Sequence, residues 1–255
     1  MTFKKNILIT GGAGFIGSNF VPYFVNKYPE YRIINLDILT YAGDLNNLTE
    51  IENSDNYIFI KGDICNKDLV KNIFEEYKIN GVINFAAESH VDNSISGPEP
   101  FIKTNIEGTF NLLDISRNHW MDGPNQYKNN YKDARFHHIS TDEVYGTLGD
   151  TGLFKEDTAY APNSPYSASK ASSDFLTRAY HHTYGMNTTM SNCSNNYGPK
   201  QHDEKLIPVI IKKALNKEPI PIYGDGKNIR DWLYVLDHCT GIDLVYHNGI
   251  SGESY

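Results

Sequence analysis

Apolar positions along the chain fall into short runs that alternate with longer stretches of 3.6-residue period. Ile7 to Thr10 is a run of strand type, and a helical stretch from about Phe15 to Tyr28 follows a glycine-rich turn. Arg32 to Asp37 reads as a second strand and Tyr57 to Lys61 as a third, and Leu69 to Tyr77 has helical spacing. A fourth strand over Gly81 to Phe85, a helix over Phe101 to Ser116 and a fifth strand over Phe136 to Ser140 continue the series. Repeated β–α alternation predicts an α/β fold: a parallel sheet of Rossmann type, covered on both faces. Right-handed crossovers make it doubly wound. No internal repeat is visible.

Two stretches lack this order. His119 to Arg135 is polar, rich in Asn and Tyr, and reads as a surface excursion. Leu148 to Asn163 carries Gly, Asp, Thr and Pro and reads as a loop near a site. Beyond Gly198 the character changes, with Pro199, Pro208, Pro219, Pro221 and a Gly-Asp-Gly turn at Gly224 to Gly226. The expected division is a dinucleotide-binding domain over residues 1–190 and a smaller substrate lobe over 191–255.

Length and charge narrow the partners. A chain of 255 residues fits one large domain, or a domain with a smaller lobe, and 40% hydrophobic content supplies a sizeable core. The formal net charge of −8 argues against nucleic acid, which needs clustered Lys and Arg. Cys65, Cys193 and Cys239 show neither metal-ligand spacing nor an even disulfide framework, so no metal is expected and a reducing cytoplasm suits them. Met-Thr-Phe-Lys-Lys leads into a strand without a secretory pattern. No apolar run is long enough to cross a bilayer, so no membrane partner is expected.

The first chemical motif is Gly11-Gly12-Ala13-Gly14-Phe15-Ile16-Gly17, between a strand and a helix. Its frame of Gly11, Gly14 and Gly17 allows a tight turn and lets backbone approach a pyrophosphate at the helix N-terminus. Asp37 ends the second strand, the position from which an acid accepts ribose hydroxyls and repels a 2′-phosphate, so NAD is favoured over NADP. Asp63-Ile64 follows the third strand; Asp63 suits an adenine contact, or equally a cap for the helix from Asn66. Phe85-Ala86-Ala87-Glu88-Ser89 places small residues where a cofactor lies across strand ends.

The second motif is Tyr166-Ser167-Ala168-Ser169-Lys170. Tyr and Lys at i and i+4 share a helix face, with Ser164 as a cap and Pro165 in the first turn. A free phenol titrates near 10. A neighbouring ammonium and a positive nicotinamide favour the phenolate, so Tyr166 can take a proton from a sugar hydroxyl while hydride leaves the same carbon. Lys170 would also hold the nicotinamide ribose. The third motif, Ser140 to Gly146, closes the fifth strand, where ligands of open parallel sheets sit. Asp142 and Glu143 there suggest acid–base work beyond hydride transfer: once C4 is a ketone the C5 proton is acidic, Glu143 can remove it, and a protonated Asp142 can assist loss of the C6 hydroxyl. Thr141 can hydrogen-bond the C4 oxygen. Alone, two acids after a strand also read as a solvated turn.

Together with Ala87-Glu88-Ser89-His90-Val91-Asp92 and Asn195-Asn196-Tyr197-Gly198-Pro199, these motifs resemble the dTDP-glucose 4,6-dehydratases, extended short-chain dehydrogenases/reductases. The resemblance runs from Asn6 to the last residue and is most specific at Thr141-Asp142-Glu143-Val144-Tyr145-Gly146. It implies Tyr166 as oxidation base, Asp142 as proton donor, Glu143 as proton acceptor and Thr141 as a substrate contact. It implies a cofactor shell of Phe15, Ile16, Asp37, Ile38, Leu39, Thr40, Asp63, Ile64, Phe85, Ala86, Ala87, Glu88, Ser89, Thr104, Lys170 and Asn196. The implied substrate shell is Ser89, Asn195, Lys205, Leu206, Pro221, Ile222, Tyr223 and Arg230. Lys205 and Arg230 suit a diphosphate, although either alone reads as a surface cation.

The implied reaction oxidises C4, eliminates water across C5 and C6 and returns hydride to C6, leaving a 4-keto-6-deoxy sugar nucleotide and regenerated NAD. The resemblance also implies a homodimer and deoxysugar (rhamnose-type) biosynthesis. A 4-epimerase, a dehydratase of UDP-, GDP- or CDP-sugars and a non-catalytic NAD-binding module are the alternatives. Such enzymes usually continue for a further quarter to third of a chain, so the substrate lobe is expected to be incomplete. Asn192 stands where many relatives carry Arg.

Overall fold

The structure, a computed structural model, describes residues 3–149, 151–222 and 225–255. β1 (Lys5–Thr10), β2 (Tyr31–Asp37), β3 (Tyr57–Lys61), β4 (Gly81–Asn84), β5 (Arg135–Thr141) and β6 (Thr188–Cys193) form one sheet. Its order is β3-β2-β1-β4-β5-β6 and every pairing is parallel. The order reverses between β1 and β4, which opens a crevice at the carboxyl ends of the strands. This is the doubly wound sheet that the alternation predicts.

Side-chain alternation along each strand feeds two cores. On β1, Ile7 and Ile9 point to one face and Leu8 to the other. The first face is covered by α1 (Phe15–Lys27) through Phe20, Val21 and Phe24. The second is covered by α2 (Lys67–Tyr77), through Val70 and Phe74, and by Leu112, Leu113 and Trp120 of α4. α3 (Val91–Ser96) precedes α4, which begins at Glu99–Phe101, passes through a π-helical turn over Ile102–Gly108 and ends as Thr109–Trp120. α5 (Pro165–Tyr184) starts on the expected Ser164 cap, whose side chain accepts from Ser167 N in a capping box, and Gly185 closes it in the left-handed region.

The expected loop near a site is found over 148–163: among its described residues Phe154 and Tyr160 pack on Val144, Tyr145 and Ala171, next to Glu143 and Lys170, without lining the cleft described below. Two expectations need correction. The stretch His119 to Arg135 is a surface excursion with order of its own. Met121–Gly123 pairs antiparallel with Gln126–Tyr127, and Trp120 is buried with its Nε1 donating to Ile79 O at 2.7 Å. Second, packing crosses the expected division at residue 190. β7 (Asn195–Tyr197) pairs parallel with β8 (Trp232–Tyr234), and α6 (Leu206–Leu215) lies between them in sequence with no buried residue. α7 (Val235–Asn248) then returns to the first core, where Val235, Cys239, Ile242 and Tyr246 join Phe20 and Phe24. The separate lobe is thus the segment between β7 and β8.

Candidate active site

A cleft of about 1360 Å³ runs along the carboxyl edge of the sheet. The glycine turn forms one end. Gly11 has φ +70, and a Cβ there would lie 2.6 Å from Ala86 N; a Cβ on Gly17 would collide with the Gly11 carbonyl. Gly14 is the N-cap of α1 and supplies no side-chain cap. The first turn of a 13-residue helix therefore faces the cleft with backbone alone, the arrangement that receives a diphosphate. Gly11, Gly14, Phe15, Ile16 and Gly17 all line the cleft.

Asp37 closes β2 and is buried. Its carboxylate accepts from Ala13 N at 2.9 Å and Leu39 N at 2.8 Å, so it ties the glycine turn to the loop beyond β2. Each oxygen keeps a lone pair for a further donor. Ile38, Thr40, Asp63 and Ile64 line the cleft, as do Phe85, Ala86, Ala87, Glu88, Ser89 and Thr104. Leu39 does not. It adopts φ +58 and its side chain packs on the first core. Asp63 Oδ1 accepts from Cys65 N at 2.8 Å, whereas the cap of α2 is Asn66, so the capping alternative for Asp63 is set aside. Thr104 sits in the π-helical turn of α4. The donor set therefore fits a dinucleotide: a glycine cradle, an acid at the end of β2 and small residues after β4 share one crevice.

The other motifs meet at the middle of the same cleft. Thr141 ends β5 and caps the 3₁₀ turn that carries Asp142 and Glu143, and Tyr166 and Lys170 arrive from the first turns of α5. The Thr141 hydroxyl donates to Asp142 Oδ1 at 3.3 Å and accepts from Glu143 N at 3.3 Å. Burial raises the proton affinity of both acids. For Glu143 the neighbouring Asp142 adds to that rise, while Arg230 and Lys205 oppose it. For Asp142 the Thr141 hydroxyl opposes the rise and the Asp231 charge adds to it.

Tyr166 is 9% exposed. Burial, then the Glu143 charge, push its phenol well above the ordinary range, and the Thr141 hydroxyl pulls the other way. The side chains alone thus do not supply the cation that the sequence argument invokes for a phenolate. Lys170 is 4% exposed, donates to Ile139 O at 2.7 Å and has its own proton affinity lowered by burial.

At the far end, Asn195, Asn196, Lys205, Leu206, Pro221, Ile222 and Arg230 line the cleft. Tyr223 lies outside the described residues. Asn196 is oriented by His238 Nδ1 at 2.9 Å and donates to Ser194 O at 3.0 Å. Arg230 is exposed and, among the described residues, hydrogen-bonds only its neighbour's carbonyl, Ile229 O, at 2.9 Å. Asn192 donates to Thr141 O at 3.2 Å, a contact to the backbone of the acid turn. The structure adds lining residues that no motif marked: Tyr41, Cys193, Gln201 and Trp232. The two adjacent histidines of β5, His137 and His138, are a visible signal of a polar layer inside a buried strand.

Fold and site define an extended short-chain dehydrogenase/reductase acting on a nucleotide-linked sugar. A family model described as GDP-mannose 4,6 dehydratase matches residues 8–255. A dTDP-glucose 4,6-dehydratase of Xanthomonas campestris pv. campestris is 56% identical over 248 residues, 97% of this chain and 69% of the relative. The crystal structure of a dTDP-glucose 4,6-dehydratase from Bacillus anthracis in complex with NAD matches at TM-score 0.87 and 49% identity, covering 98% of this chain and 74% of that one. The dTDP-glucose 4,6-dehydratase of Streptomyces venezuelae, with NAD and TYD bound, matches at TM-score 0.88 and 43% identity over the same shares. The chain belongs to the dTDP-glucose 4,6-dehydratase family. Among the described residues, no helix is long and apolar enough to cross a membrane.

Proposed function

We propose that this protein is an NAD-dependent hydro-lyase that converts dTDP-glucose to dTDP-4-keto-6-deoxyglucose. The observation that carries the reading is the meeting of Thr141, Asp142, Glu143, Tyr166 and Lys170 in the cleft that the glycine turn opens. When bound, NAD supplies the oxidation at C4 and the later reduction at C6.

The chain's own residues supply the proton chemistry. Tyr166 takes the proton of the C4 hydroxyl, and Thr141 donates a hydrogen bond to the C4 oxygen. Glu143 removes the C5 proton, and Arg230 and Lys205 favour its carboxylate form. Asp142, whose raised proton affinity keeps a proton available, protonates the departing C6 hydroxyl. Lys205 and Arg230 also stand where a substrate diphosphate passes, with Asn195, Leu206, Pro221 and Ile222 along its path. The homodimer and the cytoplasmic setting belong to the same proposal. Exposed Ile102 and Phe110 of α4 and Phe175 of α5 offer apolar surface for a second copy.

The test is product formation. The protein is incubated with dTDP-, UDP-, CDP- and GDP-glucose, and 4-keto sugar is read by its alkaline absorbance. Only dTDP-glucose should react well. A change of configuration at C4 without loss of water would replace this reading with an epimerase.

A further inference from the structure

Beneath the groups of the proposed reaction lies a buried polar layer. Tyr166, Lys170 and Asp174 are spaced by four along one face of α5. His138 of β5 faces them, and the His138 and Asp174 side chains are each 1% exposed. Lys170 Nζ lies 3.3 Å from His138 Nε2, and His138 Nε2 lies 3.4 Å from Asp174 Oδ1. Asp174 Oδ2 accepts from Ser140 Oγ at 2.7 Å and Tyr160 OH at 3.0 Å, while among the described residues Oδ1 has no hydrogen-bond partner.

The tautomer of His138 follows from its other side. Asn84 Oδ1 accepts from Thr10 Oγ1 at 2.6 Å, which turns the Asn84 NH₂ toward His138 Nδ1 at 3.1 Å. With Nδ1 accepting, the ring proton sits on Nε2. Ser173 Oγ, 3.1 Å from Nε2, spends its own proton on Lys170 O at 2.7 Å and so accepts. The Lys170 ammonium then faces another donor across 3.3 Å, in a buried site where its charge is already disfavoured. From its own helix the carboxylate of Asp174 opposes that, and from β6 the Cys193 side chain acts in the same direction. Asp174 is in turn faced by Lys170, Ser140, Tyr160 and Asn192.

We propose that Asp174 is the buried counter-charge of Lys170 and, with His138 packed between them, a positioning residue for the Tyr166–Lys170 pair. The proposal rests on Tyr166 and Lys170 being the oxidation pair. Without the carboxylate, Lys170 surrenders its proton, and the positive charge one helical turn from the phenol is lost.

The experiment is an NMR titration of the full chain labelled at lysine Cε, with Lys170 assigned by its disappearance in Lys170→Arg. In Asp174→Asn the Lys170 midpoint should fall by about one pH unit or more, a tenfold change in proton affinity. Asp174→Glu should restore it. Ser140→Ala and Tyr160→Phe, which remove neutral bonds to Asp174 and leave its charge, should titrate with the wild type. Linkage makes the coupling reciprocal, so Lys170→Met should raise the Asp174 carboxyl midpoint by the same amount, even where Asp174→Asn does not fold. Unmoved midpoints in both directions, or equal shifts from Ser140→Ala, would overturn the proposal. In the product assay, Asp174→Asn should narrow the pH range of activity, whereas a uniform loss at every pH would mark a structural role. A wild type that forms no 4-keto sugar defeats the functional reading and leaves both titrations standing.

Discussion

Glu143 sits between opposing fields. Burial and Asp142 raise its proton affinity, and Arg230 and Lys205 lower it, with the rise winning. Its carboxylate is therefore held at a cost to the fold. For a group whose folded proton affinity is raised, the stability contribution is complete below the unfolded carboxyl range and is lost as pH rises through the folded value. Glu143→Gln removes that loss. We expect this variant to melt about 1–3 °C above wild type at pH 7, with the gain gone below about pH 4, by differential scanning calorimetry. The same variant should retain NAD and lose about 10²–10⁴-fold in elimination, measured as 4-keto sugar formed. A variant that lost its NAD would contradict the role given to Glu143. The acids and the Tyr–Lys pair were readable at the residue scale, because each chemistry needs a residue type at a fixed spacing. The phenol's raised proton affinity was not readable, since burial and the proximity of Glu143 are properties of the assembled cleft.

At the scale of elements, the glycine turn shows how one motif holds unequal positions. A Cβ on Gly17 would collide with the Gly11 carbonyl, whereas one on Gly14 meets nothing nearer than 3.5 Å. Gly17→Ala should lower the melting temperature by several degrees, reflecting an overpacking cost of about 1–3 kcal/mol, and release NAD. Gly14→Ala should fold with a melting temperature within about 2 °C of wild type and weaken NAD only through its closer approach to the diphosphate. Calorimetry and retained-cofactor absorbance separate the two. β1 to β4 were legible because each is a compact apolar run between turns, and the cap of α5 was legible from Ser164-Pro165, whereas β6, Thr-Thr-Met-Ser-Asn-Cys, has too little apolar character to be read as a strand. The π-helical turn that carries Thr104 left no mark, since its residues are compatible with an ordinary helix. Leu39 fell outside the cleft because its positive φ turns the side chain into the core, a backbone choice that its residue type does not advertise.

Over the whole molecule, the end of the chain is fastened to its beginning. Asp243 on α7 accepts from Tyr23 OH at 2.7 Å, Tyr28 OH at 2.9 Å and Lys27 Nζ at 2.6 Å, and pairs with His247. These partners outweigh burial and hold its carboxyl far below the ordinary range. A depressed group gives stability that is present above the unfolded value and lost as pH falls through the folded one. Asp243→Asn should therefore lower the melting temperature by about 4–8 °C at pH 7, discounted for the half-exposed Lys27, with a smaller difference near pH 3. A cost that stayed constant across that range would assign the effect to packing. The return of α7 to the first core was not legible, because its apolar face names no partner and the proline-rich stretch before it suggested one continuous lobe.

That return has a practical consequence. Pro199 and Lys200 still bond to α1, through Asn19 Nδ2 and Ser18 O, and beyond them the described residues up to 231 lie between β7 and β8, two short strands hydrogen-bonded side by side through Asn195–Trp232, Asn196–Leu233 and Tyr197–Tyr234. The segment that brings Lys205, Pro221, Ile222 and Arg230 to the cleft is thus a cassette with both hinges on one ribbon. Exchanging it between relatives would replace these cleft-lining side chains while leaving Thr141, Asp142, Glu143, Tyr166 and Lys170 in place.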